Sequence, residues 1–332
     1  MRIGLVGAGR IGAFHAETLS GLSGIERLVL TDADPARARA VADKVGAEVA
    51  DALDQLLASG VHGVVVAAPT SVHAQAVSAV AAAGLPVFCE KPVAPDVAGT
   101  RAVLDRVARA GVALQVGFQR RFDAGYRAVR EAVTGGRLGW LHTVRACTSD
   151  PAPPPAGYLP TSGGIFRDCS VHDFDIVRWV TGREVVEVYA HGANRGDRAF
   201  AAADDVDTAV ALLTLDDGTL VTCGATRYNG GGYDVRLEAC GSEGTLVAGL
   251  DDGVPLASAE GAPWPAGRPY RDFMQRFRDA YVAELAAFRD VMAGLAPSPC
   301  TGADALAALL VAEAADRSRH EHRPVLVAEV AQ

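Results

Sequence analysis

In Gly163-Gly164-Ile165-Phe166-Arg167-Asp168-Cys169-Ser170-Val171-His172-Asp173, a carboxylate and an imidazole stand four residues apart behind a pair of glycines. The glycines can let a loop turn into a helix. On a helix, positions i and i+4 project from one face, so Asp168 and His172 address one point in space. An imidazole that titrates near neutrality, oriented by a carboxylate, is equipped to take a proton from a hydroxyl. Asp175 and Trp179 continue that stripe, while Phe166, Cys169, Phe174, Val177 and Val180 supply the apolar sides and Thr181-Gly182 a helix stop. Taken alone, the pair equally fits a solvated polar helix face. A second residue able to do chemistry is Lys91, between Glu90 and Pro92. Without a fold around it, Lys91 is a surface loop lysine. At the end of a strand in a nucleotide-binding sheet, it is a cation held at the reacting centre.

The elements that must position these residues begin at the amino terminus. Residues 2–6 read as a short buried strand, followed by Gly7-Ala8-Gly9-Arg10-Ile11-Gly12 and a helical run over 11–19. This is G-x-G-x-x-G in its required setting, strand before and helix after. The first glycine permits the tight turn, the second lets a pyrophosphate approach the backbone, and the third allows close helix packing, with the helix amino terminus facing the anion. The next strand, 27–31, ends in Asp32. An acid there accepts hydrogen bonds from both ribose hydroxyls and repels a 2′-phosphate, which favours NAD over NADP. Arg37 is the neighbouring cation that could meet a phosphate instead.

Alternation continues with helices over 36–44, 53–58, 69–83 and 97–110, and strands at 48–49, 63–68, 86–89 and 113–116. Repeated βα units imply a doubly wound parallel sheet that binds ligands at the carboxyl ends of its strands, where Lys91 lies. His73, early in the third of those helices, is either a cofactor-side residue or a capping histidine. After residue 119 the pattern changes to a helix at 125–133 and strands at 140–148, 185–191, 206–215, 219–225, 233–239 and 244–247. Turns such as Asp216-Asp217-Gly218 separate the strands, the signature of a mostly antiparallel sheet. Residues 151–155, rich in proline, form a stiff loop, and helices return at 273–292 and 301–319. The expectation is an α/β protein with a nucleotide-binding domain over 1–119 and an α+β domain over 120–332.

A chain of 332 residues has room for two cores. Its net charge of -9 argues against nucleic acid or an anionic membrane as a bulk partner. No apolar run is long enough to span a bilayer. The six cysteines form no C-x-x-C pair and the histidines no cluster, so no metal site is expected and the thiols are expected to be reduced. Met1 leads straight into the first strand, which leaves no room for a signal peptide, and a cytoplasmic protein is expected.

The glycine loop at 7–12, Glu90-Lys91-Pro92 and the Asp168/His172 pair, in that order, resemble the Gfo/Idh/MocA oxidoreductases over essentially the whole chain. Residues 116–123 (Val-Gly-Phe-Gln-Arg-Arg-Phe-Asp), the segments 150–155 and 162–168, and Gly232-Tyr233-Asp234 are similar to inositol 2-dehydrogenases within that family. The resemblance implies that Lys91, Asp168 and His172 are catalytic. It implies an NAD site formed by Gly7, Gly9, Arg10, Ile11, Asp32, Ala68, Pro69, His73, Glu90, Lys91 and Gln119. Substrate contacts would come from Lys91, Arg120, Asp150, Asp168, His172 and Tyr233. It also implies an open-faced sheet in the second domain and a homo-oligomer built on it, a tetramer or a dimer. The bland alternatives for Arg120 and Tyr233 are a structural arginine and a core tyrosine. At Thr148-Ser149-Asp150 the chain carries short side chains where the inositol pattern has His, Arg or Asn.

The implied reaction is hydride transfer from a secondary carbinol of a cyclic polyol to NAD, myo-inositol giving 2-keto-inositol. His172 would remove the hydroxyl proton, Asp168 would fix its tautomer, and Lys91 would stabilise the developing alkoxide. Alternatives are a same-family dehydrogenase of scyllo-inositol, an aldose or an anhydrosugar, an NAD-dependent glycosidase, and a non-catalytic nucleotide sensor.

Overall fold

The computed structural model describes residues 1–261 and 267–331. The chain forms two compact units: Met1–Gln119 with Tyr281–Leu306, and Arg120–Ala280 with Ala307–Gln332. By contact, then, the first unit also takes in a carboxyl-terminal segment that a single division at residue 119 leaves with the second.

In the first unit, β1 (Arg2–Val6), β2 (Arg27–Thr31), β3 (Glu48–Val49), β4 (Val64–Val66), β5 (Val87–Glu90) and β6 (Leu114–Gly117) alternate with α1 (Arg10–Gly21), α2 (Pro35–Val45), α3 (Leu53–Ala58), α4 (Thr70–Ala82) and α5 (Val97–Ala110). All six strands are parallel, in the order β3-β2-β1-β4-β5-β6. The order reverses at β1/β4, which is where a doubly wound sheet opens its ligand crevice. Helix boundaries follow local chemistry. Asp34 caps α2 through the Ala36 and Arg37 amides with Pro35 behind it, and Gly46 ends that helix in the left-handed region. The core joins Ile3, Leu5 and Leu30 of the sheet to Leu19 of α1 and Phe88 of β5. Leu285, Phe288 and Val291 from the returning segment complete it. Each fully buried side chain of this size contributes about 1.5–3 kcal/mol.

The second unit carries α6 (Ala124–Thr134), β7 (Leu141–Ser149), α7 (Leu159–Ser162), α8 (Val171–Thr181), β8 (Val185–Ala193), α9 (Ala199–Ala202), β9 (Thr208–Leu215), β10 (Leu220–Thr226), β11 (Asp234–Gly241) and β12 (Gly244–Ala248). There follow α10 (Phe273–Arg276), α11 (Arg278–Met292) and α12 (Gly302–Glu321), the residues of the last two being divided between the two units, and then β13 (Val325–Leu326) and α13 (Val327–Val330). The seven strands run β12-β11-β7-β10-β9-β8-β13, and every pairing is antiparallel except β7 with β10. Alternation along β9 buries Ala209, Ala211, Leu213 and Leu215, while Val210 and Leu212 are each 52% exposed on the other face. That open face also carries Tyr189 and Leu220.

The single helix expected over 273–292 is broken at Phe277. Its backbone leaves the helical region (φ -110°, ψ 21°) and its ring is fully buried, with the Arg276 guanidinium 4.6 Å from the ring centroid. Seating that ring in the core costs the helix one turn of continuity.

Candidate active site

At the carboxyl end of β1 the glycine loop turns into α1. A side chain at Gly12 would run into the Gly7 carbonyl, so helix and strand pack this closely only with glycine there. A Cβ on Gly9 would meet nothing within 4 Å, which leaves the loop's outer side open to a ligand. Asp32, just past β2, turns its carboxylate toward this loop. Oδ2 accepts the Ala8 amide at 2.6 Å, Oδ1 accepts the Asp34 amide at 2.8 Å, and Arg37 Nη1 lies 3.4 Å from Oδ1. The open loop and the anchored acid fit a dinucleotide.

Glu90 and Lys91 stand at the carboxyl end of β5. The Glu90 carboxylate is taken by His15 of α1, whose Nε2 is 2.6 Å from Oε1 and whose ring is fully buried among Phe14, Phe88 and Tyr281. His73 is 2% exposed, and its ring nitrogens lie 2.7 Å from the Ala68 and Pro92 carbonyl oxygens. His73 is therefore a tie between the segments after β4 and β5. Lys91 is thus flanked by two anchors, one through Glu90 and one through Pro92.

In the second unit Gly163 and Gly164 both adopt positive φ (80° and 85°) and bring the chain into a helical segment, as expected. The Ile165 amide at its start is capped by Asp205 Oδ1 at 2.9 Å. Phe166–Ser170 is then wound as a π-turn, and only Val171–Thr181 is α-helical, ending at left-handed Gly182. Asp168 lies in the wide turn and His172 in the first α turn, so the plain α-helical stripe is corrected. Wide turns of this kind recur at functional sites because they re-aim a side chain.

The stripe fails at its other members as well. Asp175 is buried and holds Arg121 through two hydrogen bonds of 2.9 and 2.5 Å. Trp179 packs under the Arg130 guanidinium, 4.3 Å from its ring centroid. Burial raises Asp173, the next carboxylate, while Arg120 and the Thr148 hydroxyl hold it down. Arg120 Nη1 donates to Asp173 at 2.5 Å and Nη2 to Thr148 Oγ1 at 2.8 Å, and Thr148 donates in turn to Asp173 at 2.7 Å. This explains the short side chain at 148: its hydroxyl bridges a buried ion pair.

Arg120 is 1% exposed, and Tyr233, 5% exposed, has its phenol pushed up by burial. Both side chains are packed as a structural arginine and a core tyrosine are. Removing one partner of such a buried pair costs about 3–5 kcal/mol, because it strands the other's charge.

Asp168 Oδ2 accepts Arg227 Nη2 at 2.7 Å and Oδ1 accepts the Tyr158 hydroxyl at 3.1 Å. Arg227 Nη1 donates to Asp150 Oδ2 at 3.0 Å, and Cys169 Sγ is 3.6 Å from the same oxygen. Burial opposes the charge on Arg227, but Cys169, Asp168 and Asp150 more than restore it. The structure thus brings Asp150 and Asp168 together and adds Arg227 and Tyr158, which sequence reasoning missed. Arg227 would have been found from the parallel pairing of β7 and β10, which sets it beside Asp150.

Among the described residues no group of side chains is arranged to hold a metal, and no helix is long and apolar enough to cross a membrane. Residues 1–118 match the model of the oxidoreductase family with an NAD-binding Rossmann fold, and residues 126–247 match the GFO/IDH/MocA C-terminal domain. The chain is 42% identical over 321 residues to myo-inositol dehydrogenase Hyg17 of Streptomyces leeuwenhoekii, covering 96% of this chain and 97% of that protein. A crystal structure of a myo-inositol dehydrogenase from Corynebacterium glutamicum ATCC 13032 superposes with a TM-score of 0.90 at 34% identity, covering 98% of each chain. Scyllo-inositol dehydrogenase from Lactobacillus casei, solved with NAD(H) and scyllo-inositol bound, superposes with a TM-score of 0.89 at 28% identity, covering 99% of each. Glycine loop, carboxyl-end lysine, anchored acid and full-length likeness agree: the chain belongs to the Gfo/Idh/MocA oxidoreductases, with an NAD-binding Rossmann unit.

Proposed function

We propose that the protein oxidises a secondary hydroxyl of a cyclic polyol to the ketone, with myo-inositol the substrate turned over best. The observation that carries the reading is the 42% identity to a myo-inositol dehydrogenase over 96% of the chain. When bound, NAD supplies a hydride acceptor for the carbinol C–H.

The chain's own residues handle the proton and the charge. His172 takes the hydroxyl proton as the carbon–oxygen double bond forms, and Asp168 supports the imidazolium that results. The Lys91 ammonium offsets negative charge developing on the carbinol oxygen. Asp150, partly exposed and sharing Arg227 with Asp168, receives a ring hydroxyl. Asp32 receives the ribose hydroxyls, and the loop from Gly7 to Ile11 faces the pyrophosphate.

The test is a panel of myo-inositol, scyllo-inositol, aldoses, an anhydrosugar and a glycoside, with NAD and NADP side by side, followed by reduced-cofactor absorbance. Fastest turnover with myo-inositol and NAD is expected. Hydrolysis of the glycoside with no net reduced cofactor overturns the dehydrogenase reading, and a strong NADP preference overturns the role of Asp32.

The protein is further proposed to be cytoplasmic and to assemble as a homotetramer through the open sheet face, where Tyr189, Val210, Leu212 and Leu220 are all exposed. Light scattering should give a multiple of the 34.4 kDa chain mass; the mass of one chain at micromolar concentration contradicts the assembly.

A further inference from the structure

We propose that Arg227 is a positioning residue for the reaction: it bridges Asp150 and Asp168, keeping the Asp168 carboxylate ionised and fixed in place. The proposal rests on the catalytic reading of Asp168.

The strand order leads to this arrangement. In the parallel pairing of β10 with β7, Thr226 lies opposite Ser149, so the next residues, Arg227 and Asp150, leave the sheet side by side. Their backbones are pinned: the Asp150 amide donates to the Thr226 carbonyl at 2.9 Å and the Arg227 amide to the Asp207 carbonyl at 2.8 Å. The Arg227 side chain is 4% exposed, and its fork meets one oxygen of each carboxylate, at 3.0 and 2.7 Å. A planar guanidinium with two parallel donors fixes both partners, which a lysine ammonium does not. Its Nε is buried without a hydrogen-bond partner.

The titratable and charged groups at Asp168 include Tyr158 on the preceding loop and Arg227 at the end of β10, with Asp150 sharing the same guanidinium and Cys169 Sγ 3.6 Å from Asp150. Tyr158 and Arg227 donate to Asp168 directly. Without Arg227, the two neighbouring carboxylates lose the cation that bridges them. Their repulsion raises the pH at which Asp168 gives up its proton. Activity then falls at a higher pH on the acid side of the profile.

The experiment compares Arg227→Met, Arg227→Lys, the double variant Asp150→Asn/Arg227→Met and Asp168→Asn. Each is assayed for kcat, KM, the pH profile of kcat/KM, NADH affinity by fluorescence titration, and thermal unfolding. Arg227→Met is expected to lower kcat about 10²-fold, at the low end of what a proton-transfer group is worth. It should move the acid limb up by about one pH unit or more, with NADH affinity unchanged. Arg227→Lys should keep the acid limb near its place while losing part of kcat. The double variant should return the limb toward its original position, because the second negative charge is gone.

Unchanged kcat/KM and an unmoved acid limb in Arg227→Met overturn the proposal. So does a loss of activity that only follows lowered stability and is not relieved in the double variant. If Arg227→Met does not fold, the acid limb and kcat of Arg227→Lys decide: full kcat there means the two-pronged bridge is not used. Asp168→Asn separates the two levels. Full turnover in that variant removes the catalytic reading of Asp168 itself, whereas an inactive Asp168→Asn beside a normal Arg227→Met removes only the role of Arg227.

Discussion

Replacing His172 with alanine lowers kcat on polyol by about 10²–10⁴-fold, the range associated with losing a general base. NADH affinity is expected to be unchanged, because His172 lies in the first turn of α8, in the unit that does not carry the glycine loop. The imidazole is partly buried, and its segment is held by features independent of it. Asp205 caps the start at Ile165, Gly163 and Gly164 set the entry, and the Arg120–Asp173 and Arg121–Asp175 pairs anchor the helix beyond it. The variant should therefore fold, and the loss should fall on kcat more than on KM. Stopped-flow measurement of reduced cofactor, paired with NADH titration, checks this. Full turnover with normal NADH binding would remove His172 from the chemistry.

Lys91→Met is expected to lower kcat/KM by about 10²–10³-fold, the cost of removing one preorganised group that stabilises an oxyanion. The residues on either side of Lys91 are anchored through their own contacts. Glu90 on one side is tied to His15 at 2.6 Å, and the Pro92 carbonyl on the other is tied to His73 at 2.7 Å. Removing the charge therefore leaves the carboxyl end of β5 in place and isolates the electrostatic effect. Lys91→Arg restores charge on a longer, planar head and should recover only part of the rate. Steady-state kinetics of the three proteins with a matched thermal unfolding series tests this. Wild-type kcat/KM in Lys91→Met contradicts the role.

What could be read from the sequence was what is local in the chain. The strand, glycine loop and helix at residues 2–21 and the acid closing β2 are contiguous signals, each set by backbone sterics within a few residues. The Gly163/Gly164 entry and the Gly182 stop are of the same kind. Most of the failures involve partners distant in sequence. A polar stripe containing Asp175 looks like a solvated face until Arg121, 54 positions earlier, is seen to bury it. Thr148 looks like a lost substrate contact until it is seen to bridge Arg120 and Asp173. Arg227 carries no motif, and its meaning depends on β10 lying parallel to β7, which the order of strands along the chain does not reveal. The π-turn over Phe166–Ser170 is a single wide turn, too short to leave a periodic signature. The return of Tyr281–Leu306 to the first unit is silent for a similar reason, since an amphipathic helix reads the same whichever core it completes.

The most direct test of the central claim is the fate of the hydrogen on the oxidised carbon, followed in the leading arm of the substrate panel. Myo-inositol deuterated at that carbon is incubated with the protein and NAD, and both products are recovered for mass spectrometry and NMR. A ketone lacking the label is expected, with reduced cofactor carrying it at the nicotinamide ring, one deuterium per turnover. Deuterium released to solvent, or inositol converted with no labelled reduced cofactor accumulating, would contradict it.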